Sequence, residues 1–197
     1  MRVFPLLADD VINIAKFNGY KTFHGLYDLN IIGIRTADDD SNTFNDWLTV
    51  SHQRNDGTLA FYAFQATTDP GTYWREHPQN VKGTAKVCHG QYRGLWELGK
   101  HRGKYEALTQ VGGIDVTRYK KGNTDAENHK IHHGVFGINL HHASSSGSSQ
   151  LVDKWSAGCQ VLADIDDFNF LMTLCKRQIS SGVGSKFSYT LMSDADF

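Results

Sequence analysis

The chain has 197 residues, a formal net charge of −1 and a hydrophobic fraction of 40%. This length and apolar content can bury one substantial core, which excludes an intrinsically disordered chain. The near-neutral charge supplies no basic field for a phosphate backbone, so we expect no nucleic acid among its partners.

The N-terminal segment, residues 1–28, predicts a small helical element. Asp9 or Asp10 is expected to cap a short helix over residues 11–17. Gly19 is expected to end this helix, because glycine readily adopts the left-handed conformation of a helix C-terminus. We therefore treat 1–28 as an element separate from the domain that follows.

Short strands dominate the following domain, residues 29–197. Asn55-Asp56-Gly57 marks a hairpin, and residues 68–78, with two prolines, predict a loop. Aromatic and β-branched segments between glycine-containing turns predict seven strands, over residues 29–35, 47–52, 58–67, 84–88, 91–98, 106–110 and 114–119.

The C-terminal part adds two strands and a helix. The strands are predicted over residues 134–141 and 186–192. Asp164 is expected to cap a helix over residues 165–180. Apolar residues at helical spacing predict its buried face, at Phe168, Leu171, Met172, Cys175 and Ile179. The expected fold is mainly β (α+β), with a short N-terminal helix and one C-terminal helix.

The most informative stretch joins an apolar strand that ends at His141 to a small-residue turn that presents Cys159. Fourteen residues separate His141 from Ser156, and Cys159 lies three positions further on. A thiol attacks as its thiolate, so a neighbouring imidazole must assist it. Ala157 and Gly158 leave the backbone accessible, and the N–H groups of Gly158 and Cys159 can face an oxyanion. This pattern predicts a cysteine acyl-transfer site.

The spacing resembles the catalytic signature of the L,D-transpeptidase (YkuD-type) family, in which a histidine precedes a Ser/Thr-His-Gly-Cys motif by a similar interval. The resemblance covers mainly residues 134–163. This stretch is similar to a divergent branch of the family found in bacteriophage and bacterial proteins. It implies that Cys159 is the nucleophile, that His141 takes its proton and that the backbone carbonyl of His142 orients the imidazole. Gly158 corresponds to the glycine before the family's cysteine.

The same resemblance implies an L,D-transpeptidase-like β-sandwich or barrel that acts on peptidoglycan stem peptides and needs no cofactor or metal. We assign Trp155, Ser156 and Ala157, which precede the cysteine turn, to substrate binding. The chain departs from the family at two positions. Ala157 stands where the family has histidine, and Val161 stands where many members carry Arg or Asn.

The expected reaction passes through a thioacyl intermediate. Hydrolysis, as in an endolysin-like L,D-peptidase, is favoured over cross-linking, but both remain open at this stage. No secretory signal and no bilayer-length apolar run is recognisable, so we expect synthesis in the cytoplasm, no membrane span and action at the cell wall or periplasm. The oligomeric state also remains open.

A zinc-dependent peptidase is one alternative. It would use the clustered histidines His129, His132, His133, His141 and His142. Adjacent residues on a strand point to opposite faces, which disfavours a shared metal for either neighbouring pair. No His-Glu-x-x-His or Cys-x-x-Cys spacing is present.

A second alternative is a non-catalytic cell-wall-binding or virion-associated module that kept the fold and lost the chemistry. The departures at Ala157 and Val161 favour it, and the retention of both Cys159 and His141 argues against it. Cys88 and Cys175 are predicted to be structural thiols. Three widely spaced cysteines do not predict a disulfide framework.

Overall fold

The computed structural model describes residues 4–38, 42–120 and 130–197. These residues form three α-helices and eleven strands, and no described helix has the length and apolarity needed to cross a bilayer. In chain order the elements are α1 (Ala8–Phe17), β1 (Asn30–Arg35), β2 (Asp46–Gln53), β3 (Leu59–Thr67), α2 (Thr72–Glu76), β4 (Thr84–Val87), β5 (Gly90–His101), β6 (Tyr105–Gln110), β7 (Ile114–Tyr119), β8 (His132–Gly134), β9 (Leu140–His142), β10 (Gln160–Leu162), α3 (Ile165–Ser180) and β11 (Lys186–Ser193).

Eight strands close into a barrel, in the order β1-β11-β5-β6-β9-β10-β3-β2, and β2 pairs back with β1. Neighbours are antiparallel, except that β1 runs parallel to β11 and β9 runs parallel to β10. Strands β4, β7 and β8 form a separate sheet. The prediction of a mainly β fold with an N-terminal and a C-terminal helix is confirmed, and its large sheet is a barrel.

One apolar core joins the barrel to α3. Trp96 and Tyr189 are fully buried with their ring centroids 4.7 Å apart, and Leu171 and Cys175 of α3 belong to the same cluster. The side chain of Asp164 accepts the N–H groups that begin α3, as its sequence predicts. Burial of Cys175 confirms the prediction of a structural thiol at that position.

Helix α1 packs through Val11 and Ala15 on a second apolar cluster, which includes Ile32 of β1. The predicted aspartate cap is wrong, because the helix begins at Ala8. Asp10 instead lies in the first turn, where its Oδ2 accepts the backbone N–H of Leu7 at 3.1 Å. This bond satisfies the N–H that precedes the helix and lets the helix start three residues earlier than the predicted start at residue 11.

The predicted strand over residues 134–141 is interrupted. Only its ends belong to β8 and β9, and residues 135–139 are irregular. The side chain of Gln110 explains the break, because its Oε1 accepts the N–H groups of Phe136 and Ile138 at 2.9 and 2.8 Å. A side-chain amide therefore replaces a neighbouring strand here.

One predicted strand end shifts, and one predicted loop contains a helix. Strand β5 continues through His101 instead of ending at residue 98, because Gly99 is a point of close packing and not a turn. A Cβ on Gly99 would overlap the side chain of Thr109 on the paired strand β6. The predicted loop over residues 68–78 contains the short helix α2.

Replacing Trp96 by Phe is expected to lower the free energy of unfolding by about 2–3 kcal/mol, since it removes buried volume and a hydrogen bond. The Trp96 indole N–H donates to the carbonyl of Ile138 at 2.8 Å, and the phenylalanine variant leaves this buried oxygen unpaired. Urea denaturation followed by circular dichroism measures the change. The matched variant Trp155→Phe, at a side chain that is 43% exposed, should change stability by less than about 0.5 kcal/mol.

Candidate functional site

The parallel pairing of β9 with β10 brings the predicted histidine and cysteine together. His141 lies opposite Val161 in this pair, and the backbone N–H of Gln160 donates to the carbonyl of Asn139 at 2.9 Å. Cys159 therefore enters β10 directly beside the end of β9. The sulfur of Cys159 and one ring nitrogen each of His101 and His141 lie within 4.8 Å of one another.

The imidazole of His141 is held in one tautomer. Its Nδ1 lies 2.8 Å from the carbonyl of His142 and 3.2 Å from the hydroxyl of Tyr105. A carbonyl only accepts hydrogen bonds, so Nδ1 carries the proton and Nε2 carries the lone pair. Nε2 is buried and has no hydrogen-bond partner among the described residues. It is therefore free to act as a base.

His101 has the opposite tautomer. The Oδ1 of Asn139 accepts the backbone N–H of Gln110 at 2.9 Å, which fixes the orientation of the Asn139 amide. Its Nδ2 lies 3.2 Å from Nδ1 of His101, so that nitrogen accepts and the proton of the neutral ring lies on Nε2. The ring centroids of His101 and His141 are 4.0 Å apart. The two neighbouring rings therefore differ in tautomer, with the proton on Nε2 in His101 and on Nδ1 in His141.

The turn before Cys159 is fixed by Ser156. Its hydroxyl donates to the carbonyl of Cys159 at 2.8 Å and accepts the N–H of Gly158 at 3.1 Å. Gly158 has φ +118°, and a Cβ there would come within 2.6 Å of the carbonyl oxygen of Ala85. The N–H of Gly158, expected from the sequence to face an oxyanion, is therefore engaged within the turn.

The three residues assigned to substrate binding lie in different surroundings. Trp155 is 43% exposed, whereas Ser156 is fully buried. Ala157 is half-buried and lines a cavity of about 430 Å³ together with Ile138. Trp155 and Ala157 therefore face accessible space, and Ser156 holds the turn behind them.

Burial keeps the thiol and both imidazoles neutral. It raises the pKa of Cys159 to about 11, and the Asn139 backbone N–H and the charge of Arg102 offset part of this rise. Burial lowers the pKa of His141 to about 3, with a further contribution from His101. Burial likewise lowers the pKa of His101 to about 4. The resting site therefore holds a thiol beside a neutral base and not a thiolate–imidazolium pair.

The histidines of the zinc alternative are dispersed. His132 and His133 lie on β8 in the small sheet, while His141 and His142 lie on β9 in the barrel; His129 lies outside the described residues. Nδ1 of His133 lies 2.7 Å from a carboxylate oxygen of Asp115. The grouping of possible metal ligands within the described residues is instead His101, His141 and Cys159.

Four residues around the site were not predicted as site residues from the sequence: His101, Tyr105, Gln110 and Asn139. His101 and Tyr105 face each other across the β5–β6 hairpin, and this register could be read from the glycine turn between them. Their approach to His141 depends on the pairing of β6 with β9, which joins segments about thirty residues apart and leaves no local sequence signal.

No protein-family model matches the sequence, and no match is found among curated proteins or solved structures. The chemistry of the site therefore rests on its own geometry. The neighbouring thiol and imidazoles, and the cavity beside them, are the observations that bear on function.

The rate of Cys159 alkylation by iodoacetamide should be low at pH 7 and rise about tenfold per pH unit towards pH 10, because the thiolate fraction rises by that factor below a pKa of about 11. Peptide mass spectrometry of quenched samples measures the rate at each cysteine, with Cys88 as the internal comparison. A rate that is already constant between pH 6 and pH 8 would show a preformed thiolate and contradict the neutral resting site.

Ser156→Ala should destabilise the protein by about 1–3 kcal/mol, because it leaves the Gly158 N–H and the Cys159 carbonyl buried without their hydrogen bonds. Thermal unfolding by calorimetry measures the effect. The matched variant Ser145→Ala alters an exposed serine of the same chain region and should leave the midpoint unchanged. Equal midpoints for the two variants would show that Ser156 does not hold the turn.

Proposed function

We propose that this chain is a cysteine-dependent enzyme of the L,D-transpeptidase type that acts on peptidoglycan stem peptides. The observation that carries the proposal is the position of the Cys159 sulfur within 4.8 Å of a ring nitrogen of His141. The proton on Nδ1 of that ring faces the carbonyl of His142, which leaves Nε2 as a base. The peptidoglycan substrate is proposed from the resemblance of the His141 to Cys159 spacing to that family.

The proposed reaction begins as His141 takes the thiol proton and the sulfur of Cys159 attacks a peptide carbonyl. The carbonyl π electrons move to oxygen and form the tetrahedral oxyanion. When this collapses, the carbon–nitrogen bond breaks, the imidazolium of His141 protonates the leaving amine and a thioester remains on Cys159. Water then attacks the thioester, with His141 again as base, and releases the acid and the free thiol.

His101 is the proposed donor to the oxyanion. The N–H of Gly158 is engaged by Ser156, so the turn lacks one of the two donors that the sequence predicted. The Nε2–H of His101 belongs to a neutral imidazole whose tautomer is fixed by Asn139. A hydrogen-bond donor that faces developing negative charge in a buried site can stabilise the transition state by about 3–4 kcal/mol.

Hydrolysis is the proposed outcome because water is the smaller acceptor for a thioester on a cysteine that keeps only 9% of its surface exposed. Transfer to a second stem peptide requires an amine to reach the same carbon. The proposed site of action is the cell wall or periplasm, where the substrate lies.

Cys159→Ala is expected to lower turnover by about 10⁴-fold or more, because it removes the nucleophile. The experiment incubates purified protein with defined peptidoglycan and follows the released muropeptides by mass spectrometry. The matched variant Cys88→Ala, at a half-buried thiol outside the grouping of His101, His141 and Cys159, should retain activity, and so should the wild type in EDTA. Product masses separate hydrolysis from exchange.

Wild-type rates in Cys159→Ala would overturn the mechanism. Absence of products from the wild type, combined with binding of the protein to peptidoglycan, would favour the non-catalytic wall-binding module.

A metal-dependent hydrolase is the second candidate, because His101, His141 and Cys159 together offer a nitrogen, nitrogen and sulfur donor set. The hydrogen bond from Asn139 to Nδ1 of His101 disfavours the metal-dependent candidate. It places the proton of the neutral ring on Nε2, so neither ring nitrogen has a free lone pair for a metal. Activity that is lost in EDTA and restored by Zn²⁺ would favour this candidate over the thiol mechanism.

A further inference from the structure

Arg118 of β7 is a buried cation without a carboxylate partner among the described residues. Its side chain forms no ion pair there, and the residue keeps only 9% of its surface exposed. Nη1 donates to the carbonyl of Gly83 at 2.8 Å, whereas the buried Nε has no hydrogen-bond partner. Burying a charge without a counter-charge is costly, so an anion that reached this guanidinium would be strongly favoured.

The guanidinium borders the cavity of about 430 Å³ that Ala157 also lines. The amide side chains of Gln79 and Asn80 and the apolar side chain of Phe136 form other parts of its wall. The Arg118 guanidinium carbon lies 5.2 Å from the centroid of the Phe136 ring, which limits its movement. The lining therefore combines one cation, neutral hydrogen-bonding groups and apolar surface, as a carboxylate-bearing peptide requires.

Residues next to the cysteine turn form part of the cavity wall. Phe136 and Ile138 both line it, and the carbonyl of Gly137 between them accepts the Cys159 S–H at 3.4 Å. Ala157, two residues before the cysteine, lines the same cavity. The wall of the cavity that Arg118 lines therefore includes residues that flank the cysteine turn.

Two further cations among the described residues act on the same neighbourhood as Arg118. The pKa of His132 on β8 is lowered by desolvation and then by the charges of Arg118, Lys82 and Lys130. The nearby carboxylate of Asp115 is engaged by His133. Among the described residues, the charges of Lys82 and Lys130 therefore add to that of Arg118 near His132.

We propose that Arg118 binds a carboxylate of the substrate peptide in this cavity and so selects acyl donors that carry one. The inference rests on the proposed function for the identity of the peptide. Either the C-terminal carboxylate or a side-chain carboxylate of a stem peptide has the required chemistry, and the two are distinguished by amidating each in turn.

Isothermal titration calorimetry on Cys159→Ala tests this without turnover. The probes are a peptidoglycan stem tetrapeptide as the free acid, its C-terminal amide and its side-chain amide. One of the two amides should bind about 10- to 100-fold more weakly than the free acid, because it loses a charge-assisted bidentate contact. Equal affinity of all three peptides, or no binding by any of them, would overturn the proposal.

Adding Arg118→Gln to this variant should weaken binding of the free acid by the same factor and abolish the discrimination between acid and amide. Arg118→Lys keeps the charge and should restore part of the affinity. Lys16→Gln removes an exposed cation of α1 that lines a different cavity and should change affinity by less than about twofold. Retained discrimination in a folded Arg118→Gln variant would overturn the proposal.

The two proposals fail separately. Binding that depends on Arg118 and on the carboxylate, without products from the wild-type enzyme, would refute the proposed reaction and support the anion site. Turnover by the wild type with equal affinity for the acid and both amides would refute the anion site and support the proposed reaction.

Discussion

The parallel pairing of β9 with β10 is the constraint on which the site depends. Three residue pairs join these strands, and the bond from Gln160 N–H to the Asn139 carbonyl fixes where the cysteine turn ends. A shift of one residue along this short pairing would turn the side chains to the opposite faces and separate His141 from Cys159. The buried Gln160 side chain reinforces the register, because its Nε2 donates to the Gly158 carbonyl at 3.3 Å and its Oε1 accepts the hydroxyl of Tyr189 at 2.6 Å.

Burial sets the character of the proposed nucleophile. A rise of the Cys159 pKa from 9.0 to about 11 corresponds to about 3 kcal/mol against the thiolate. The same burial disfavours the imidazolium of His141. Both charged members of a thiolate–imidazolium pair are therefore destabilised in the resting site. In the proposed mechanism the thiolate forms only as a substrate carbonyl takes up the developing charge, and His101 is the proposed donor to that charge.

Local chemistry in the sequence predicts the mainly β fold, helix α3 and the turn that presents Cys159, because these depend on periodicity, capping and small residues within a few positions. The strand predicted over residues 134–141 failed because the Gln110 side chain, distant in sequence, satisfies the backbone of the interrupted segment. The strand predicted over residues 91–98 ended too early for a related reason, since the small size of Gly99 serves packing against Thr109 on the paired strand. Residues on other strands, including His101 and Arg118, reach their positions through pairing between strands that are distant in sequence. Short sequence windows do not contain this information.

Intact-protein mass spectrometry, on protein quenched in acid during incubation with a stem tetrapeptide, tests for the proposed thioacyl intermediate. The proposed mechanism predicts a mass increase equal to the acyl portion of the peptide, located on Cys159 by subsequent digestion, with no adduct in Cys159→Ala. Product formation by unmodified protein, at a rate unchanged in Cys159→Ala, would contradict the mechanism.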